Sequence, residues 1–139
     1  MYSLECISCL VWVYISFGGG KKIMKPILKI GQVIIHKRFN YRGVIFGVDD
    51  YFQLTDEWYS HMCKNTKPPK DKPWYNVLVH NATHTTYVTE QNIILDDSDK
   101  EIIHPMVPLL FTTLKNGIYS KSSNWANEKP IIPNEIGMA

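Results

Sequence analysis

The chain has 139 residues, of which 45% are hydrophobic and 20% charged, with a formal net charge of +2. These values suit one globular domain with a modest core, and they exclude a coiled coil, a collagen-like rod or a disulfide scaffold. They also exclude a polycation: Pro26–Thr112 carries nine Lys and Arg against ten Asp and Glu, a difference of −1.

The N-terminal run Cys6–Phe17 is apolar except for two serines, and it is too short to span a bilayer, which takes about 20 residues. Gly18-Gly19-Gly20-Lys21-Lys22 comes next as a flexible break. We therefore read residues 1–25 as an apolar appendage and Gly-rich linker outside the fold, with an extra strand as one alternative. Secretion or N-terminal anchoring is another, favoured by the Asn81-Ala82-Thr83 glycosylation pattern and disfavoured by Glu5 and the lack of an early Lys or Arg. Cys6, Cys9 and Cys63 are an odd set with no second pair at zinc spacing. No metal is expected, and a reducing intracellular compartment suits them.

The domain proper begins with two β-branched runs, Ile30–His36 and Arg42–Val48, which predict a hairpin. Asn40 tolerates left-handed backbone and marks its tip, while Gly43 and Gly47 predict bends or close backbone approach. Thr55-Asp56-Glu57-Trp58 has the cap and first-turn acids of a helix start, and the helix must stop before the loop containing Pro68-Pro69. Trp74–Val79 and Thr85–Val88 are further strands about a turn at His80–His84, and Gln91–Leu95 is a short fifth. This spacing predicts a mainly β fold: a small barrel or strongly bent sheet with one short inserted helix. A segment from His104-Pro105 closes it, packing Val107, Leu109, Leu110 and Phe111 on the barrel. Residues 115–139, polar and without clear period, are expected to form a loose tail.

Motifs for chemistry are absent. His80 and His84 sit on a turn rather than along a helix, there is no G-x-S-x-G elbow, and Gly18-Gly19-Gly20-Lys21 lacks phosphate-loop spacing. No catalytic residue, cofactor or small-molecule substrate is expected, and no membrane association of the domain.

In order, the chain carries Gly31-Gln32-Val33, His36-Lys37-Arg38, Tyr41-Arg42-Gly43-Val44-Ile45, Gly47 and Asp49. Glu57-Trp58, Met62, Pro73, Tyr75, Val77-Leu78-Val79, Thr86-Tyr87-Val88, Glu90, Asn92 and His104-Pro105 come after them. Over Lys29–Phe111 this resembles the hemimethylated-DNA-binding, YccV-like domain family, which includes bacterial heat-shock protein Q and copies at the end of some eukaryotic F-box proteins. Two positions depart from the family pattern: Val48 stands where Trp is common, and His80 where an acid is usual. The resemblance implies an SH3-like barrel, here over residues 26–114, and no catalysis. It offers two kinds of partner, double-stranded DNA or a protein of the proteolysis machinery.

Lys29–Gly47 has four cations and no acid, so Lys37, Arg38, Tyr41 and Arg42 are the expected DNA- or partner-binding residues. Their guanidinium and ammonium groups suit phosphates. Trp58, Trp74 and Tyr75 would serve as anchors for a protein partner if exposed, and core packing is their competing role.

Overall fold

The two β-branched runs form β1 (Val33–His36) and β2 (Arg42–Asp49), paired antiparallel with Val33 opposite Val44. Asn40 takes the left-handed conformation at the turn, with φ of 55°. The structure is a computed structural model and describes residues 27–131. The N-terminal apolar segment with Cys6 and Cys9 lies outside the described residues.

After β2 the chain leaves the sheet for helix α1 (Asp56–Met62). The Thr55 side chain caps it by accepting the Trp58 N–H at 3.1 Å, and Asp56 and Glu57 complement the dipole of its first turn. Strands β3 (Trp74–Val79), β4 (Thr85–Thr89) and β5 (Ile93–Leu95) complete one antiparallel sheet in the order β4-β3-β2-β1-β5. A bulge between Ile45 and Gly47 interrupts the β2–β3 register and sharpens the local twist. The fold is mainly β, and β4 and β5 are the sheet's two edges rather than hydrogen-bonded partners.

Alternation along β3 and β4 gives the sheet two covered faces. Tyr75, Val77 and Val88 point into the main core with Val44, Ile45, Met106 and Phe111. Trp74 and Tyr87 point the other way, onto Phe52, Cys63, Trp58 and Tyr59 beneath α1. Phe52 meets Trp74 edge-on at 5.0 Å between ring centroids, and Trp74 stacks on Tyr87 at 5.2 Å. A short helix, α2 (Val107–Leu110), then buries Leu110, and Phe111 continues from it into the core. This is the closing segment expected from His104-Pro105.

Residues 115–130 correct the expectation of a loose tail over that stretch, while residues 132–139 lie outside the described residues. Strands β6 (Phe111–Lys115) and β7 (Ile118–Lys121) form a hairpin about Asn116-Gly117, and β8 (Trp125–Ala126) pairs with β9 (Lys129–Pro130). Tyr119 is buried in the main core, where its hydroxyl accepts the Ile102 N–H at 2.9 Å. Its backbone also seals the start of β1: the Tyr119 N–H donates to the Gly31 carbonyl at 2.8 Å. Gly31 has φ of 96°, and an added Cβ would collide with the Tyr119 carbonyl oxygen.

Because Tyr119 joins packing and hydrogen bonding in one side chain, Tyr119→Ala should destabilise the fold by about 3–4 kcal/mol. Urea unfolding should show this as a lower midpoint, and an unchanged midpoint would mean residues beyond Lys115 are dispensable.

Candidate binding site

The hairpin tip is ordered by His36. Its ring Nδ1 accepts the backbone N–H groups of Arg38 at 3.1 Å and Phe39 at 3.2 Å, and its carbonyl accepts from Asn40 at 2.9 Å. The imidazole stacks between Phe39 and Tyr41, at 4.9 and 5.0 Å. An Nδ1 that accepts two N–H groups carries no proton, so the tip requires the neutral ring. Burial, and then the charge of Arg38, push the His36 pKa below its ordinary value of 6.5.

The expected site residues separate in the structure. Lys37 and Arg38 are exposed on the tip. Tyr41 is half-buried, and its hydroxyl shares a 2.8 Å hydrogen bond with the Thr86 hydroxyl. Arg42 is committed to the fold: its Nε lies 2.5 Å from the buried Asp96 carboxylate, and its Nη2 donates to the Lys100 carbonyl at 2.5 Å. Burial alone would raise the Asp96 pKa. Hydrogen bonds from Arg42 and Ser98, with the charge of Arg42, outweigh it and hold the carboxyl below its ordinary value.

Trp74 and Tyr75 are corrections to the expected surface anchors, being 1% and 0% exposed. The sheet is covered on both faces, so Trp74 and Tyr75, adjacent on β3, are buried in different clusters. The Trp74 indole N–H donates to the Pro69 carbonyl at 3.1 Å. The Tyr75 hydroxyl donates to Glu90, whose carboxylate also accepts the Ile27 N–H at 3.1 Å. Of the three aromatic anchors, Trp58 alone keeps a partly accessible ring.

Between the tip and α1 runs a groove of about 540 Å³ along β4. Arg38, Phe39 and Tyr41 form one wall, Trp58 and Met62 the other, and Asn76 and Thr85–Thr89 its floor. Among the described residues no carboxylate lines it, and Arg38 is its one Lys or Arg. Phe39 is 69% exposed and Met62 62%. The sequence reading missed Phe39 because it treated the loop as a carrier of charge. An exposed aromatic among basic residues at a hairpin tip was the available signal. Thr89 was missed as well, since nothing in a strand pattern marks it out.

A family model described as "Hemimethylated DNA-binding protein YccV like" matches residues 27–118, most of the chain. The chain belongs to the YccV-like family. The chain is also similar to F-box only protein 21 of Homo sapiens and of Pongo abelii, in each case 30% identical over 103 residues. That match covers 73% of this chain and 16% of each relative. F-box only protein 21 of Mus musculus is 34% identical over 84 residues, 60% of this chain and 13% of the relative. The chain thus spans less than a fifth of the length of these relatives. No solved structure matches it. Among the described residues no three His, Cys, Asp or Glu side chains gather as a metal site, and no helix is long and apolar enough to cross a membrane.

Removing the Arg42 guanidinium leaves a buried carboxylate unpaired, so Arg42→Ala should lower stability by about 3 kcal/mol. Lys37→Ala, at an exposed cation, should change it by less than about 0.5 kcal/mol. Equal effects in chemical unfolding would refute the division between structural and free cations.

His36 adds a pH dependence whose sign is set by its lowered pKa. Its contribution is fully present above the ordinary value of 6.5 and is lost as pH falls from there toward the folded-state value. His80 and His104 are shifted in the same direction, chiefly by burial, and add to the effect. Unfolding free energy should therefore fall between about pH 7.5 and 5.5. His36→Asn, which keeps a side-chain acceptor but does not titrate, should flatten that fall. An identical slope in wild type and variant would show that His36 does not titrate on unfolding.

Proposed function

We propose that this YccV-like domain is a non-enzymatic binding module whose partner is a protein in regulated turnover, docked at the groove between the hairpin tip and α1. The carrying observation is the make-up of that groove: walls of Phe39, Trp58 and Met62 and a lining without carboxylates. Exposed aromatics and Met beside an Arg are the composition of protein-binding anchors. The relatives bearing the F-box name and the turnover role offered by the family resemblance agree with such a partner. The reading has no catalytic step and calls for an intracellular location. Barrel-like curvature belongs to it too, supported by the Tyr41–Thr86 hydrogen bond that draws the hairpin tip toward edge strand β4.

Duplex DNA is the second reading. The family description favours it, and so do Lys37 and Arg38, exposed on the tip with Phe39 beside them. With Arg42 held by Asp96, the tip offers two free cations. Two phosphate contacts give a weak, sequence-independent affinity with a logarithmic salt slope of about −2. Discrimination of a methylated strand would need an apolar contact in the major groove, the role Phe39 would take.

The two readings separate under opposite substitutions. Proteins captured from a cell extract by the full chain should be lost with the pair Phe39→Ala and Trp58→Ala and kept with the pair Lys37→Ala and Arg38→Ala. Binding to unmethylated, hemimethylated and fully methylated duplexes should be weak and equal across a salt series. Preferential binding of the hemimethylated duplex, abolished by the Lys37 and Arg38 pair, would overturn the protein reading.

A further inference from the structure

The groove floor is a sheet edge, and its hydrogen bonding shows which way the edge faces. The Val79 N–H donates to the His84 carbonyl, and the Glu90 N–H to the Pro73 carbonyl. With Val77 opposite Thr86 and Tyr75 opposite Val88, these bonds make Thr86 and Val88 the residues whose backbone groups turn toward β3. Alternation then turns the backbone N–H and C=O groups of Thr85, Tyr87 and Thr89 outward. Among the described residues β4 pairs with β3 alone. The outward groups of Thr85 and Tyr87 and the Thr89 N–H have no hydrogen-bond partner there, while the Thr89 carbonyl, as cap of the 3-10 turn Glu90–Asn92, accepts that turn's first hydrogen bond. Naturally occurring edges of this kind are normally covered, charged or cut short.

A second observation points to the same place. The Thr89 hydroxyl is the one buried side-chain polar atom without a hydrogen-bond partner among the described residues, on a side chain 3% exposed that lines the groove. An unsatisfied buried hydroxyl costs stability that a hydrogen-bonding ligand recovers.

We infer that β4 takes an extended peptide segment of the partner as an added strand, which pairs with the outward groups of Thr85 and Tyr87 and with the Thr89 N–H, and satisfies the Thr89 hydroxyl. This rests on the protein-binding reading and gives the partner a chemistry. Alternate side chains of an added strand point to opposite sides, so apolar residues at every second position meet the wall of Trp58 and Met62, and the residues between them face the wall of Arg38 and Phe39. The groove has Arg38 and no carboxylate in its lining, which selects an acidic residue at the tip end. The same walls rise on either side of the floor.

The test selects random dodecapeptides displayed on phage against the full chain, then titrates a synthetic peptide of the enriched sequence. The expected result is enrichment of sequences alternating apolar residues with Asp or Glu, and shifts in the amide resonances of Thr85, Tyr87 and Thr89. Thr85→Pro removes an outward donor and no ladder hydrogen bond, and should weaken the peptide about tenfold. Thr89→Val should weaken it similarly while the thermal midpoint holds or rises, an outcome that a purely structural role for the hydroxyl does not give.

Failure to enrich any peptide overturns the inference. So does self-association of the full chain in sedimentation that Thr85→Pro abolishes, which would assign the edge to a second copy. Peptide binding lost with Trp58→Ala but untouched by Thr85→Pro and Thr89→Val would overturn strand pairing and leave groove recognition standing. Partner capture insensitive to Phe39 and Trp58 would remove the underlying reading instead.

Discussion

Strand β3 is packed on both faces, and that constraint organises the domain. Tyr75 and Val77 face the main core while Trp74 faces the aromatic cluster beneath α1. A sheet covered on one face would have left Trp74 in water and α1 with little to bury against. Here α1 contributes no fully buried residue of its own. It is held over the sheet by the partly buried rings of Trp58 and Tyr59, which reach Phe52, Trp74 and Tyr87. The Tyr87 hydroxyl extends the same arrangement: it donates to Asp49 and accepts the Gln53 N–H at 3.2 Å, fixing the chain between β2 and α1. Burial, reinforced by donation to Asp49, pushes that hydroxyl's pKa well above its ordinary value of 10, so it remains a donor at any physiological pH. The groove's helical wall thus depends on residues of the sheet beneath it.

The electrostatics of the hairpin are decided by where each cation can find an anion. Arg42 lies at the base, where the chain returning after β5 brings Asp96 within 2.5 Å and supplies the Lys100 carbonyl. Arg38, four residues earlier, reaches the rim and stands 5.7 Å from the Phe39 ring centroid, a cation over an aromatic face. One guanidinium therefore closes the fold and the other faces solvent beside an exposed ring. The arithmetic of recognition changes with that division, since a phosphate-reading surface loses a third of the three cations the hairpin carries while an aromatic-lined groove loses nothing.

Much of the sheet was legible because β-branched runs bounded by turn residues leave few alternatives. The helix start at Thr55-Asp56, where the structure makes Thr55 the cap, and Asn40 at the hairpin tip are cases where local chemistry decides the conformation. The tail was misread although its signal was present. Asn116-Gly117 is the dipeptide a tight hairpin turn favours, and both residues have positive φ, at 54° and 77°. The strands beside it are mostly exposed, with Leu114 half-buried and Tyr119 buried, so hydrophobic periodicity was too thin to register. The site was less legible for a different reason. Arg42 and Asp96 are 54 positions apart, and charge counting along a chain cannot pair them. Nor can composition separate an aromatic that fills a core, such as Trp74, from one that rims a groove, such as Phe39. That distinction belongs to the second covered face of the sheet.

The two edges of the sheet show how differently the fold treats the same liability. On β5, pairing is limited to three residues, and the chain leaves toward the exposed Asp97 and Asp99. Short length and flanking acids are ordinary defences against a further strand. On β4 the pairing runs for five residues with no charged side chain. The outward groups of Thr85 and Tyr87 open between two walls instead of being capped, and among the described residues the buried Thr89 hydroxyl is left without a partner beside them. A defence on that edge required only one lysine or proline at Thr85, where the outward N–H makes either compatible with the ladder. Its absence next to a well-protected β5 marks β4 as the edge shaped for pairing, with the walls rather than charge deciding what enters.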